Sequence, residues 1–226
     1  MGNFFLDFVS VFFAVIAAFA LDNWNENRKD NLAEEKILTE IRNGLYLDLK
    51  DLNENREGHL RGLRACNSFE KIFKGETIPQ DSVKIHYPFL TMVENTSTMN
   101  TIGYESLRSR GLEIIKNDSI RLKIIELYNL DYQNLKKFTE EIPSSQIFEY
   151  SYTPINNVIS NYLNYGLDGN INGLDQPISL PKKTQKLMLS HIWRLRVIRS
   201  SMLPLYQETE VKINDLLKRI NQELDD

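Results

Sequence analysis

The residues best suited to chemistry in this 226-residue chain are basic, and they fall in two stretches. They are Arg108, Arg110, Lys116 and Arg121, followed by Trp193, Arg194, Arg196 and Arg199. Guanidinium groups near the exposed N–H groups of a helix N-terminus suit phosphate oxygens, and an aromatic ring such as that of Trp193 can stack on a nucleobase. We therefore predict a site for a polyanion, either a nucleotide or an oligonucleotide. The alternative is that these arginines pair with the abundant aspartates and glutamates of neighbouring helices.

Residues for catalysis or metal binding follow no recognisable pattern. The sequence has no phosphate-binding glycine loop, nucleophile elbow or zinc motif, and its three histidines are scattered. Asp168-Gly169-Asn170 matches part of a calcium loop, but the twelve-residue pattern with its terminal glutamate is absent. We expect no enzymatic activity and no metal or other cofactor. If the chain were an enzyme, Asp168, Asp175 and His191 would be the first residues to test.

The element that must position any ligand site begins with an apolar run, Phe4 to Leu21. A run of about 18 residues is just long enough to cross a hydrocarbon core as a helix. No lysine or arginine precedes it, which argues against a secretory signal peptide. Trp24 then suits the membrane interface, and Arg28 and Lys29 suit the cytoplasmic side. We predict an uncleaved anchor with its N-terminus outside, and the alternative is a buried core helix.

One face of the predicted anchor carries polar and small residues at helical spacing: Asp7, Ser10, Ala14 and Ala18. Such a face lets membrane helices approach one another closely. A carboxylate near a bilayer is costly unless it meets water or a partner, so Asp7 either snorkels into the headgroups or lies at a pore mouth or helix contact. Because one helix cannot enclose a passage, transport would require several copies around an axis.

The remainder of the chain reads as a mainly α cytosolic domain. The net charge of −4 excludes bulk attraction to nucleic acid but not a local basic pocket. The mean hydropathy of −0.37 predicts that the part of the chain beyond the anchor is soluble. The single cysteine, Cys66, excludes an internal disulfide framework and fits a reducing compartment. We divide the chain into an anchor with its interfacial exit over 1–29 and a helical domain over 30–226. Apolar residues three or four apart predict that the anchor continues into a very long amphipathic helix or helix pair, which would break at Gly58.

Further along, proline, glycine and capping residues divide the chain. The expected elements are a loop over Gly75–Pro88, a helix over Thr101–Arg110 with Gly111 as its C-cap, a helix from Asn117 to about Ile142, a helix over Tyr150–Tyr165, a loop over Gly166–Pro181 and a helix over Lys182–Leu224 kinked at Pro204. The fold class is therefore mainly α.

Two stretches resemble a family of short bacterial single-pass membrane proteins of uncharacterised domain type. Val15–Lys29 is similar to the end of that family's anchor, where an alanine-leucine pair is followed by Asn-Trp, Glu and Arg-Lys. The second similarity is carried by Tyr104, Leu107, Ser109, Gly111, Leu112, Ile115, Lys116, Asn117, Ile120, Arg121, Ile124 and Tyr128. The chain lacks one residue that many members have between the glycine and the leucine. The resemblance implies a bacterial inner-membrane location but no activity.

More distantly, the plan is similar to that of the HalA-type membrane effectors of Hailong anti-phage defence. That resemblance implies a multi-subunit ion channel held shut by a DNA oligomer, and a nucleotidyltransferase as a partner. We therefore expect a homo-oligomeric, channel-like effector in the lipid bilayer, gated through its cytosolic domain. The alternative is a non-conducting anchor or scaffold that recruits a soluble partner.

Overall fold

A computed structural model of the chain describes residues 2–91, 97–138 and 152–225. Its first helix, α1, spans Gly2–Phe73, and its 72 residues correspond to a rod of about 108 Å. The very long helix continuing from the apolar segment is confirmed. The predicted break at Gly58 is wrong, because Gly58 and His59 are buried against the rest of the domain. Packing on that side outweighs the intrinsic helix penalty of about 1 kcal/mol for glycine.

The N-terminal part of α1 lies apart from the domain. An 18-residue window near the N-terminus has a mean hydropathy of 1.5, and none of that window is buried inside the structure. By length and composition this helix is able to cross a membrane, and no part of the window is buried, whereas the core helix of a soluble protein is mostly buried. Residues 22–33, which we call the stalk, continue the same helix over about 18 Å before the domain begins.

The other described elements wrap around the second half of α1. In chain order they are α2 (Gln80–Thr91), α3 (Ile102–Arg110), a 3₁₀ turn (Leu112–Ile114), α4 (Asp118–Glu126), a π-helical turn (Leu127–Asp131), α5 (Tyr132–Lys136), α6 (Thr153–Ile159), a 3₁₀ turn (Ser160–Tyr162), β1 (Leu163–Tyr165), β2 (Ile171–Leu174) and α7 (Lys182–Asp225). The mainly α fold class is therefore confirmed.

The long helices α1 and α7 form an antiparallel pair that organises the domain. The amide of Asn221 donates to the Tyr46 hydroxyl at 3.3 Å near one end, and that of Gln185 donates to the carbonyl of Phe73 at 2.9 Å at the other. Between these contacts the rings of His59 and Tyr206 lie 5.4 Å apart. Helix α7 therefore packs along α1 from Tyr46 to Phe73.

Two hydrophobic cores follow one another along the helix pair. The first, nearer the stalk, includes Ile37, Leu38, Ile41, Leu45, Leu107, Ile115, Ile120, Ile124, Ile213, Leu216 and Ile220. The second includes Ala65, Cys66, Phe69, Phe73, Val83, Leu90, Ile155, Ile159, Met188, Ile192 and Leu195. Elements α3 to α5 close the first core, whereas α2, α6 and the hairpin close the second.

Three short-range predictions differ from the structure. The loop predicted over Gly75–Pro88 is confirmed as far as Pro79 and wrong beyond it, because Val83, Tyr87 and Leu90 are buried at helical spacing and fold Gln80–Thr91 into α2 around Pro88. The helix predicted over Tyr150–Tyr165 ends early: its last three residues form β1.

Strand β1 pairs antiparallel with β2, and β2 lies inside the segment Gly166–Pro181 that was predicted as a loop. Helix α7 runs unbroken from Lys182 to Asp225 with Pro204 inside it.

The caps around α3 and α4 agree with the sequence. Helix α3 ends at Arg110, and Gly111 follows with φ +103° and an N–H that donates to the Leu107 carbonyl. The side chain of Asn117 accepts from the backbone N–H groups of Ser119 and Ile120 at 3.1 and 3.3 Å, as an N-cap does. The helix predicted from Asn117 is seen as α4, the π-helical turn and α5, and its expected end near Ile142 lies outside the described residues.

Candidate ligand-binding site

The first basic stretch lies beside the stalk. The backbone N–H of Lys116 donates to the Glu34 carboxylate at 2.7 Å, and its ammonium contacts Asn31. Arg121 pairs with Glu113 at 3.0 Å and with Asp118 at 2.6 Å. The two remaining side chains, Arg108 and Arg110, are exposed. Neither forms an ion pair with any residue in the described ranges.

The second basic stretch lies at the far end of the domain. The Arg196 guanidinium contacts the Glu70 carboxylate and donates to Asn67 at 3.2 Å. Trp193 is exposed, and Arg194 is half-buried and engaged within the protein. Arg199 is only 4% exposed.

The two stretches are therefore not one cluster within a single chain. The first contacts α1 at Glu34 and the second contacts it at Glu70, 36 residues further along the helix. At 1.5 Å per residue these contact points are about 54 Å apart. A single small ligand can reach only one of the two groups in one subunit.

Arg199 is a packed residue of the domain interior. Its guanidinium donates to the Phe89 carbonyl at 2.8 Å, and burial lowers the pKa of Arg199. A Cβ on Gly62 would overlap that guanidinium, so the glycine makes the space in which the arginine lies. Burial likewise raises the pKa of the neighbouring Cys66 thiol to about 11, although Arg199 and Arg196 act against the shift. Ligand binding by Arg199 would require opening the contact between α1, α2 and α7.

The structure contains a cavity that includes one of the predicted residues, Arg108. Its volume is about 270 Å³. The lining residues, from the segment before α3, from α3 itself, from the π-helical turn and from α5, are Ser97, Thr98, Met99, Thr101, Tyr104, Glu105, Arg108, Tyr128, Asn129, Tyr132, Gln133, Leu135 and Lys136. We call it the tyrosine cavity. The sequence shows Tyr128 and Tyr132 four residues apart on one helical face, but that spacing alone is equally typical of a core.

Three of the residues that line the tyrosine cavity are buried tyrosines. The rings of Tyr104 and Tyr128 stack with centroids 4.5 Å apart and planes 8° apart, and Tyr132 meets Tyr128 edge-on at 5.0 Å. The Tyr104 hydroxyl donates to the Asn129 side-chain oxygen at 2.9 Å. Tyr128 is 3% exposed, and its hydroxyl has no hydrogen-bond partner among the described residues. An unsatisfied buried hydroxyl costs about 1–3 kcal/mol, and burial raises the pKa of Tyr128.

The tyrosine cavity is joined to α1 through a buried carboxylate. The Tyr132 hydroxyl donates to Asp48 Oδ2 at 2.6 Å, and the backbone N–H of Asn100 donates to Asp48 Oδ1 at 2.7 Å. Asp48 is 1% exposed, and burial raises its pKa to about 6 although both hydrogen bonds oppose the shift. One helical turn along, Asp51 accepts from the backbone N–H of Thr98 at 3.1 Å. Two cavity-lining segments thus hydrogen-bond directly to the helix that continues into the apolar segment.

Helix α3, which carries Arg108, also packs directly on α1. A Cβ on Gly103 would lie 2.7 Å from the Ile41 backbone nitrogen and 2.8 Å from Ile41 Cγ1. Only glycine allows this approach, because α1 backbone is a neighbour that does not move aside. The arginine at the rim of the cavity is therefore held on a helix that is fixed against α1.

The remaining candidate residues have simpler surroundings. Ser10, Ala14 and Ala18 lie on the part of α1 that packs against nothing else in the described chain, and the side chain of Asp7 is outside the described residues. In the hairpin, Asp168 accepts from the backbone N–H of Asn170 at 3.0 Å and Asp175 accepts from Asn164 at 2.8 Å. Within residues 2–91, 97–138 and 152–225, no three His, Cys, Asp or Glu side chains are grouped to hold a metal ion.

Comparison of the chain with protein families, with curated proteins and with solved structures found no match. The resemblance drawn from the anchor and from the α3–α4 segment therefore stays a prediction. Function has to be argued from the helix that joins the apolar segment to the domain and from the tyrosine cavity beside it.

Proposed function

We propose that the chain is a homo-oligomeric membrane effector of a bacterial inner membrane. Its N-terminus lies outside, the apolar part of α1 spans the bilayer, and the domain lies in the cytoplasm. Several copies of α1 surround a narrow passage, and a polyanionic ligand on the domain, a nucleotide or an oligonucleotide, shifts the assembly between closed and open states. The resemblance to HalA-type effectors supports a role in anti-phage defence with a nucleotidyltransferase as partner.

The observation that carries this proposal is the continuity of α1. One unbroken helix from Gly2 to Phe73 contains the candidate membrane span, the stalk and the main packing surface of the domain. Helix α1 has no proline and is not interrupted by a turn or loop, so a rearrangement of the domain around Ile41 to Phe73 would displace the apolar segment as well. A ligand gates such an assembly only to the extent that it binds one state more tightly than the other.

A homo-oligomer follows from the single span. One helix has no interior, so a passage needs copies of the helix around a symmetry axis. The face with Ser10, Ala14 and Ala18 has the small side chains through which membrane helices pack closely. On this proposal Asp7 lies near the outer mouth, where water or a neighbouring copy solvates its carboxylate.

Ion flux through liposomes with two insertion variants tests the proposal. A Gly-Gly-Ser-Gly insertion after Glu26 breaks the stalk, whereas a seven-residue alanine-rich insertion at the same place adds about two helical turns and keeps the phase. We expect the flexible insertion to abolish the response of flux to ligand while the domain still folds, and the helical insertion to preserve that response. A liposome assay with no ion flux under any ligand would refute the channel.

A second candidate function, the non-conducting scaffold, is favoured by an exposed apolar surface on α4, the π-helical turn and α7. Leu122, Leu130 and Val211 are large and exposed there, and a cavity of about 370 Å³ lies beside Val211. Large exposed apolar side chains of this kind suit contact with a soluble protein partner. A scaffold needs its anchor only for location, so both stalk insertions would leave partner recruitment unchanged and no variant would affect ion flux.

A further inference from the structure

We infer that copies of this chain contact one another along the side of α1 that the domain leaves uncovered, which we call the open face. In this arrangement the edge of the open face with Glu35 meets the edge with Lys36 of the next copy around a shared axis. The inference deepens the proposed homo-oligomer, because it assigns a contact surface within the domain. It rests on the proposed function at one point, which is that all copies enter the bilayer in the same direction and are therefore parallel.

The open face is a continuous row of exposed residues where α1 runs through the first half of the domain. The opposite side of the helix, with Ile37, Ile41 and Leu45, is buried in the first hydrophobic core. The domain therefore covers only one side of α1 here. The residues of the open face follow spacings of three, four or seven positions, and they are Leu32, Lys36, Asn43, Leu47, Lys50 and Glu54.

The open face is in phase with the small residues of the candidate membrane span. Leu32 follows Ala18 by about four helical turns and Ala14 by about five. Because α1 is unbroken, copies whose alanines pack together in the membrane also bring their open faces together in the domain. If the domain covered this side of α1, neighbouring copies would be held apart by at least the diameter of a helix, about 10 Å.

The two edges of the open face carry opposite charges at nearly the same height. Consecutive residues of an α-helix are separated by about 100° around the axis and about 1.5 Å along it, so Glu35 and Lys36 lie on opposite edges. Glu35 is exposed and forms no ion pair within the described ranges. Lys36 is 72% exposed and reaches Glu40 only at 3.9 Å. In a parallel ring, Glu35 of one chain therefore faces Lys36 of the next.

Three turns further along α1, the same two edges carry apolar groups. Tyr46 and Leu47 follow the charged pair by about three turns, and their exposed fractions are 51% and 60%. The Tyr46 ring is held at its edge, because its hydroxyl accepts from the amide of Asn221 at 3.3 Å. An aromatic ring beside an exposed leucine suits a contact from which water is excluded. The open face thus offers one ionic and one apolar contact to a neighbouring copy.

The complementary contact does not extend through the stalk. Arg28 and Lys29 occupy the same two edges one heptad closer to the membrane. Their like charges oppose contact at that level, and Arg28 already lies over the Trp24 ring of its own chain at 5.6 Å. We therefore assign the contact to residues 32–54, where the edges carry opposite charges and apolar side chains.

Disulfide cross-linking of the full chain in liposomes tests the contact. One variant carries Glu35→Cys with Lys36→Cys, and a second carries Tyr46→Cys with Leu47→Cys. Each copy then presents a thiol to the copy on either side. We expect both variants to give a ladder of linked multimers that extends beyond the dimer, because every copy in a ring has two neighbours.

Two controls accompany the cross-linking. The matched pair is Gln207→Cys with Glu208→Cys, which are exposed neighbours on α7 outside the open face. The native Cys66 is buried, so the wild-type chain measures the background. We expect no ladder from either control. Linked dimers alone from the open-face variants, or equal ladders from the α7 pair, would overturn the inference.

Charge reversal tests the pairing of the edges without oxidation. Glu35→Lys or Lys36→Glu alone places like charges across the contact and should weaken association about three- to tenfold. The measurement is energy transfer between labelled copies in liposomes. The double variant exchanges the two charges and should restore association. Both side chains are exposed, so all three variants should melt close to the wild type. A double variant that associates no better than the single variants would overturn the edge pairing.

Ion flux through the same liposomes separates the contact from the channel. Ladders from the open-face variants in liposomes that never conduct would support the contact and refute the channel. Ion flux without an open-face ladder would support the channel and overturn the contact. Monomers in the bilayer, with neither ladder nor energy transfer, would overturn the contact and leave the open face to a soluble partner, as the scaffold requires.

Discussion

Replacing Asp48 with asparagine should make the domain more stable at neutral pH and remove one component of its pH dependence. Asp48 is the carboxylate between α1 and the tyrosine cavity, and burial raises its pKa to about 6 from an ordinary value of 3.8. Asparagine preserves the shape. Its oxygen can accept from the backbone N–H of Asn100, and its amide nitrogen can donate to the Tyr132 hydroxyl oxygen.

The sign follows from proton linkage. Because the folded state holds the Asp48 proton more tightly than the unfolded state, its contribution to stability is fully present below pH 3.8 and is lost as the pH rises through about 6. At 1.36 kcal/mol per pKa unit, the loss reaches up to about 3 kcal/mol, and less wherever water screens the carboxylate. The free energy of unfolding of Asp48→Asn relative to wild type should therefore rise by that amount between pH 4 and pH 7.

Thermal melts of the full chain in detergent, followed by circular dichroism from pH 4 to pH 7, measure the difference. About 3 kcal/mol in a domain of this size corresponds to a Tm difference that grows by roughly 6–12 °C across the range. The matched control is Asp81→Asn, an exposed carboxylate whose pKa is lowered by Lys84, for which the Tm difference should shrink or change little as the pH falls. A Tm difference between wild type and Asp48→Asn that stays constant from pH 4 to pH 7 would refute the reasoning.

Three further predictions concern close helix contacts. Gly103→Ala should destabilise the domain by about 1–3 kcal/mol, measured by thermal melting, because the new methyl group meets α1 backbone at Ile41; an unchanged Tm contradicts the close contact. Gly62→Ala should lower the Tm by displacing the Arg199 guanidinium, and Arg199→Met should make the protein less sensitive to Gly62→Ala in a double-mutant cycle. Leucine at both Ala14 and Ala18 should reduce liposome ion flux without lowering expression, whereas unchanged flux would favour the scaffold.

The sequence was most informative about α1. Apolar residues from Ile37 to Phe73 recur at helical spacing, and a run of that length with no proline specifies a helix almost independently of context. The break predicted at Gly58 was wrong because it rested on local helix propensity alone. The free-energy penalty of one glycine in a helix is small compared with the stabilisation from packing two long helices together. Helix α2 was not predicted for the same reason. Gly75 and Pro88 are typical of loops, but the burial of Val83, Tyr87 and Leu90 on one helical face determines the structure.

The candidate site was predictable only in part. Types and spacing predicted Arg108 as a ligand residue, and the structure places it among the residues that line a cavity. They could not show that the two basic stretches lie about 54 Å apart along α1, because that distance is set by the antiparallel pairing with α7. The sequence also could not show that the Tyr128 hydroxyl has no hydrogen-bond partner among the described residues, since that depends on which groups three separate segments bring together.

The stalk constrains how any passage could open to the cytoplasm. Over residues 22–30 no other element of the described chain covers α1, whereas the Lys116 side chain contacts it at Asn31 and the domain surrounds it from Ile37 onward. Under the proposed function, ions leaving the bilayer would therefore pass sideways between neighbouring stalks, beside the exposed charges of Asp22, Glu26 and Lys29. The domain then need not contain a pore of its own. On the proposed function, the domain would control the passage by setting the angle and rotation of α1, through the contacts of Gly103 and Asp48 that fix it to this helix.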